Sequence, residues 1–256
     1  MRKLLVFCCL LILAACGGSG EPTATAPTEP ESLAMDSPSA EEQKPPAEAG
    51  DAVARWPDLS GNWLRDATAD IVFGEWDFTE GGQRQFDSYD FERDDPAYDC
   101  VAASWTRVWL NPNVLVQITQ ADDHVRLRYE WMDIDRMIPL VDPNDADPER
   151  SSIEGMPRVG RSAAWYDGDT LVIDTVDFAP GYISTMAEWA GTPQSRRMRA
   201  VERITRSGDA LMIETTHQDP AYYREPLVVS IPYSLSDFEL LDYGCVPEDA
   251  AVVSPN

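Results

Sequence analysis

Lysine is almost missing from this 256-residue chain: Lys3 and Lys44 are the only two, and the 17 basic residues after position 50 are all arginine. Schiff-base and Ser-Lys mechanisms therefore lack the lysine they require in the folded part. Histidine is nearly as scarce. His124 and His217 stand 93 positions apart, and without a cluster of free cysteines they offer no zinc-ligand spacing, so neither metal nor cofactor is expected. Positive charge as a whole is in short supply, with 20 basic against 45 acidic residues and a net charge of −25. A surface this acidic repels a phosphate backbone, which excludes nucleic acid as a partner. The acidity reads first as solubility, as in a salty habitat, and only second as a binding face. The longest apolar run, Leu4 to Ala15, has twelve residues. A membrane-spanning helix takes about 20. No repeat of fixed period is present.

Twelve apolar residues after Arg2 and Lys3 are the right length for a signal peptide, and the run ends Leu13-Ala14-Ala15-Cys16. That ending resembles a bacterial lipobox. The resemblance implies a signal peptide over 1–15, cleavage before Cys16, a diacylglycerol on its thiol and an acyl group on the new amine. Three acyl chains make a lasting anchor where one binds only marginally. Gly17 at the second mature position, by analogy with enteric sorting, favours the outer membrane of the cell envelope; ordinary secretory cleavage elsewhere is the alternative. Residues 16–55 are rich in Pro, Ala, Glu, Ser and Thr, and bury too little apolar surface to offset their ordering entropy. They read as a lipidated flexible tether. Residues 56–256 are long enough for one domain with a sizeable core.

Of five cysteines, Cys8 and Cys9 leave with the signal peptide and Cys16 carries lipid. Cys100 and Cys245 remain, and an isolated pair in an oxidising compartment is expected to form a disulfide. A reactive thiol is the alternative, but neither histidine lies near a cysteine in sequence.

The domain reads as all-β. His124 to Trp131 alternates polar and apolar residues, putting Val125, Leu127, Tyr129 and Trp131 on one face and Arg126, Arg128 and Glu130 on the other. Gln120 to Asp123 links this strand to Val114–Thr119. Tyr166-Asp167-Gly168-Asp169 links Arg161–Trp165 to Thr170–Val176, and Ser207-Gly208-Asp209 links Ala200–Thr205 to Ala210–Thr216, each a hairpin signal. Pro226 to Leu235 and a short strand ending near Tyr243 complete eight to ten strands, with one helix over Thr79 to Tyr89. Consecutive hairpins favour a single antiparallel up-and-down sheet, and closure into a barrel removes its exposed edges.

Two resemblances bear on this domain. Gly160-Arg161-Ser162, Trp165 to Thr175, Val201-Glu202-Arg203-Ile204, Asp209-Ala210-Leu211, Asp219-Pro220 and Tyr243-Gly244-Cys245 resemble a group of secreted bacterial proteins without an established activity. The likeness runs from Leu59 onward and departs from the group's pattern at Ala164 and Val246-Pro247. Gly61-Asn62-Trp63 is similar to the Gly-x-Trp of lipocalins and other calycins, which implies a calycin-like barrel whose floor Trp63 closes.

Candidate chemistry is thin. Asp167 and Asp169 read as turn residues. Asp142 to Glu149 is a dense acidic loop without the glycine and spacing of a calcium-binding hand, and reads as solvated. Adjacent strand residues face opposite ways, so either Glu202 or Arg203 points inward, as a partnered structural charge or as a contact to a polar ligand group. Gly160 to Ala164 lacks the second glycine of a nucleophile elbow. These readings favour a calycin-like binder of a small apolar or amphipathic ligand, with Trp63, Tyr129, Trp131 and Trp165 lining or plugging the interior and Arg203 as polar contact. The alternatives are an envelope hydrolase using His217 and Asp219 with Ser162 or Glu202, and a structural lipoprotein that docks a protein partner.

Overall fold

The computed structural model describes residues 56–101, 104–111, 114–147, 159–184 and 190–246. The signal peptide, Cys16 and the tether lie outside the described residues. In chain order the elements are β1 (Gly61–Arg65), β2 (Val72–Phe73), α1 (Glu80–Asp87), α2 (Phe91–Asp94), α3 (Trp105–Leu110), β3 (Leu115–Gln120), β4 (His124–Tyr129), β5 (Ile134–Pro139), β6 (Arg161–Asp167), β7 (Thr170–Val176), β8 (Gly181–Ser184), β9 (Thr192–Gln194), β10 (Arg199–Ser207), β11 (Ala210–Gln218) and β12 (Leu227–Ser236).

Nine of these strands form one antiparallel path in the order β5-β4-β3-β1-β12-β11-β10-β7-β6, with β2 added beside β12, while β8 and β9 form a separate pair. Eight antiparallel steps leave β5 and β6 pointing the same way. Their junction must therefore be parallel, and it is a single bridge between Leu140 and Ala164, with the Val141 N–H donating to the Ala164 carbonyl at 2.9 Å. The result is the all-β, nearly closed up-and-down barrel expected from consecutive hairpins. Its one weak seam lies between β5 and β6.

Local chemistry explains the turns. β6–β7 and β10–β11 reverse over two residues each, and the first loop position is Gly168 or Gly208, both at φ +61°. A side chain is strained there. Along the strands the buried positions alternate as a half-buried sheet requires: Val125, Leu127 and Tyr129 on β4; Ala200, Glu202 and Ile204 on β10; Leu211, Ile213, Thr215 and His217 on β11. Outward Arg126 pairs with Asp135 on the neighbouring strand.

Two expectations change. The helix over Thr79 to Tyr89 is α1, with the Thr79 hydroxyl accepting from the Gly82 N–H at 3.0 Å, but α2 and α3 join it. α3 escapes a periodicity search because five of its six residues are buried, which leaves no polar face. The strand expected to end near Tyr243 is instead an irregular strap, residues 237–246, along the outside of the barrel. β12 already pairs with β11 and β1, and β1 with β3, so no free ladder is left for another strand here. The strap is pinned by the Cys100–Cys245 disulfide, with a Cα–Cα distance of 5.7 Å, and by the Asp133 carboxylate accepting from the Tyr243 N–H at 2.9 Å.

Candidate functional site

Inside the barrel an arginine and a glutamate face each other. Arg136 on β5 donates to Glu202 on β10 through Nη1–Oε1 at 3.1 Å and Nη2–Oε2 at 2.7 Å, with both side chains at most 2 % exposed. Nη1 also donates to the Tyr129 hydroxyl at 2.9 Å, and Nη2 reaches Ser162 Oγ and Thr175 Oγ1, each at 3.3 Å. Burial opposes the guanidinium charge, but Glu202 and Tyr129 outweigh it, so the pKa of Arg136 is raised. Burial pushes the Tyr129 phenol up against the pull of Arg136, which keeps it protonated. Because Ser162 lies on β6, Arg136 also ties the seam together from within.

α3 plugs one end of the barrel. Trp109 donates its Nε1–H to Glu202 Oε1 at 2.7 Å and packs edge-on against Tyr129 and Tyr233, each 5.2 Å away. Trp105 lies 4.3 Å beneath the Arg136 guanidinium. Arg107 makes two hydrogen bonds to the buried Asp95, at 2.5 and 2.9 Å, and covers the Trp131 ring at 4.4 Å. Glu202 thus accepts three hydrogen bonds, and Arg136 is spread over four partners. Such a network ties α3 to the strands of the barrel wall.

At the turn end Trp63 is fully buried, donates its Nε1–H to the Leu59 carbonyl at 3.0 Å and lies under the Arg206 guanidinium at 5.1 Å. Arg206 in turn donates to the Asp58 carbonyl at 2.7 Å. Trp63 is thus a fully buried, hydrogen-bonded part of the core.

The other predicted site residues scatter. Tyr129 is interior and bound to Arg136. Trp131 leaves the face it was expected to share, because β4 ends at Tyr129 and the chain turns through Met132 at φ 56° and Asp133 at φ 50°. It is still buried with the core, packed between Arg107 of α3 and Tyr243 of the strap. Trp165 is half-buried on the outer wall, since its neighbours Ala164 and Tyr166 take the inward positions. Arg203 also faces out and pairs with Asp167 at 2.9 Å; the inward member of its dipeptide is Glu202.

The hydrolase residues do not meet. Ser162, Thr175, Ala200 and His217 form one rung across four strands, so Ser162 and His217 are separated by three strand spacings, about 14 Å along the wall. Asp219 accepts from the Ser195 N–H and Oγ–H at 2.6 and 2.7 Å. His217 is buried with Nδ1 3.4 Å from the Leu227 carbonyl and no partner on Nε2, and burial pushes its pKa down to about 4. Among the described residues no group of three His, Cys, Asp or Glu side chains is placed to hold a metal ion. Nor is any helix there long and apolar enough to cross a membrane.

Among the described residues one concavity lies on the outer wall and another opens at the rim of the seam, where outward Trp165 and inward Tyr166 both reach it. One, of about 450 Å³, runs between Leu64 and Leu115 of the wall and Phe238 and Leu241 of the strap, rimmed by Glu130 and Glu239. The other, of about 340 Å³, sits over the seam and is walled by Trp56, Trp165 and Tyr166. Arg136, Trp109 and Arg206 were not singled out from sequence. An arginine between Ile134 and Ile138 in a period-two apolar run is the signal that points to Arg136.

No protein family matches the sequence, and no curated protein does. Solved structures with a similar outline include a secretory abundant heat soluble protein from Ramazzottius varieornatus, 11% identical over 71% of this chain and 98% of that one, at a TM-score of 0.35. Another is the REP1-NXSQ fatty acid transporter, 12% identical over 71% and 98%, TM-score 0.33. A variant of the fluorescent protein UnaG is 13% identical over 70% and 96%, TM-score 0.33. Likeness this distant carries no argument about a shared ligand or activity.

Proposed function

We propose that this chain is a bacterial envelope lipoprotein, anchored through Cys16, whose barrel domain binds a small amphipathic molecule in the groove under the strap. The observation that carries the reading is where apolar surface is left open. Trp109, Trp105 and the Arg136–Glu202 pair are buried together in the barrel interior, whereas Phe238 is 67% and Leu241 64% exposed beside a groove of ligand size. Acidic Glu130 and Glu239 on the rim disfavour a carboxylate head and suit a neutral or cationic one.

Titration with N-phenyl-naphthylamine, a fluorophore that brightens in apolar surroundings, tests the groove. Saturable brightening is expected, reduced about ten-fold in affinity by Leu241→Asp. Equal binding to that variant, or none to the native chain, overturns the reading. Anchoring is tested separately by labelling cells with a radioactive fatty acid, where a Cys16→Ala chain that still takes up label removes the lipoprotein assignment. A docked protein partner is the second reading, favoured by the row of exposed Phe238, Leu241, Tyr243 and Val246 along one strap.

A further inference from the structure

The cavity over the seam has a different chemistry from the strap groove and stands independently of that reading. Its floor is the junction itself, where Leu140 and Val141 run beside β6 and the Val141 N–H bonds to Ala164. One wall is Trp56 stacked on Tyr166, with ring centroids 4.6 Å apart and planes 11° from parallel. Trp165, half-buried on the outer face, forms another. Asp122 from the β3–β4 turn and Asp142 from the loop after β5 complete the rim, and among the described residues no basic side chain lines it.

We infer that this cavity is a binding site for a small organic cation of the ammonium or quaternary ammonium type. Aromatic faces carry negative charge density, and they attract a cation whose own hydration shell is weak. Two carboxylates add long-range attraction, reinforced by a chain that carries −25 overall. An anion is repelled by the same charges. A hard metal ion asks for several converging oxygens, which two carboxylates set among indole rings do not supply. At about 340 Å³ the cavity is within the size range of small-molecule sites.

Choline is the test probe, with its uncharged carbon isostere neohexanol and with glucose as comparisons, followed through the indole N–H signals of the full chain at low ionic strength. Choline is expected to bind saturably in the millimolar range, about ten-fold more tightly than neohexanol, and more weakly as salt is added. Trp165→Ala and Asp122→Asn should each weaken choline about five-fold. Both positions face outward, and the exposed turn at Asp122 gives a variant whose folding does not depend on the aromatic wall. Equal affinity for choline and neohexanol, binding of glucose in preference to choline, or choline shifts that do not saturate would each overturn the assignment.

Discussion

Glu202 is the residue whose partners matter most to it. Removing one member of a buried ion pair strands the other charge, at a cost of about 3–5 kcal/mol, while replacing both by apolar groups of similar volume is often neutral. Glu202→Leu should therefore destabilise the domain by several kcal/mol in urea titration, and adding Arg136→Met should recover much of the loss. Equal instability of single and double variants would show that the network acts through packing alone. His217 makes a second prediction. Its folded pKa, about 4, lies below the ordinary value of 6.5, because burial disfavours the imidazolium. The unfolded chain therefore binds the extra proton first, and the stability held above pH 6.5 falls as pH drops toward 4, by about 3 kcal/mol at the limit. His217→Leu should flatten that part of the pH–stability curve relative to the native chain, and an unchanged slope would mean that His217 titrates in contact with water. At this scale the sequence was only partly legible. Alternation says that one of Glu202 and Arg203 faces in, but which one depends on register with β7 and β11, where Glu202 sits opposite Ile173 and Thr215.

The strap shows what an element without a ladder needs in order to stay put. It is held by the Cys100–Cys245 bond, the Asp133 carboxylate, the edge of Trp131 against Tyr243, and Asn62 donating to the Phe238 carbonyl at 2.8 Å. Closing a loop of 145 residues stabilises a fold by roughly 5 kcal/mol on loop entropy alone, an upper figure. Cys245→Ser should thus lower the thermal midpoint by several degrees and release the strap, read as faster amide exchange at Tyr243 and Gly244 while β10 and β11 stay protected. Loss of protection throughout the barrel would mean that strap and barrel form one cooperative unit. The hairpins were legible because Gly168 and Gly208 mark their turns and their strands alternate. α3 was not, because a helix buried on all sides carries no period, and the strap misled because its apolar residues look like a strand until the ladders beside it prove to be taken.

At the scale of the molecule, like charge presses outward on the barrel. After position 50 the chain carries 38 acidic and 17 basic residues, and screening this self-repulsion should stabilise the fold. Raising sodium chloride from low to roughly half-molar should lift the thermal midpoint by about 2–4 °C, equivalent to on the order of 1 kcal/mol. A midpoint that falls instead would mean that attractive pairs such as Arg199 with Asp174 outweigh the repulsion. The barrel outline was readable from consecutive hairpins, but the parallel seam was not, since it follows only from an odd number of strands in the path and the sequence allowed eight to ten. One further consequence follows from β1 lying between β3 and β12. The first strand made is completed by the last, so a chain emerging from the ribosome carries β1 with one side unsatisfied until Ser236 is out. Folding must then wait for the whole domain, and nascent chains stalled before Leu227 should stay protease-sensitive and prone to pair with one another along that waiting edge.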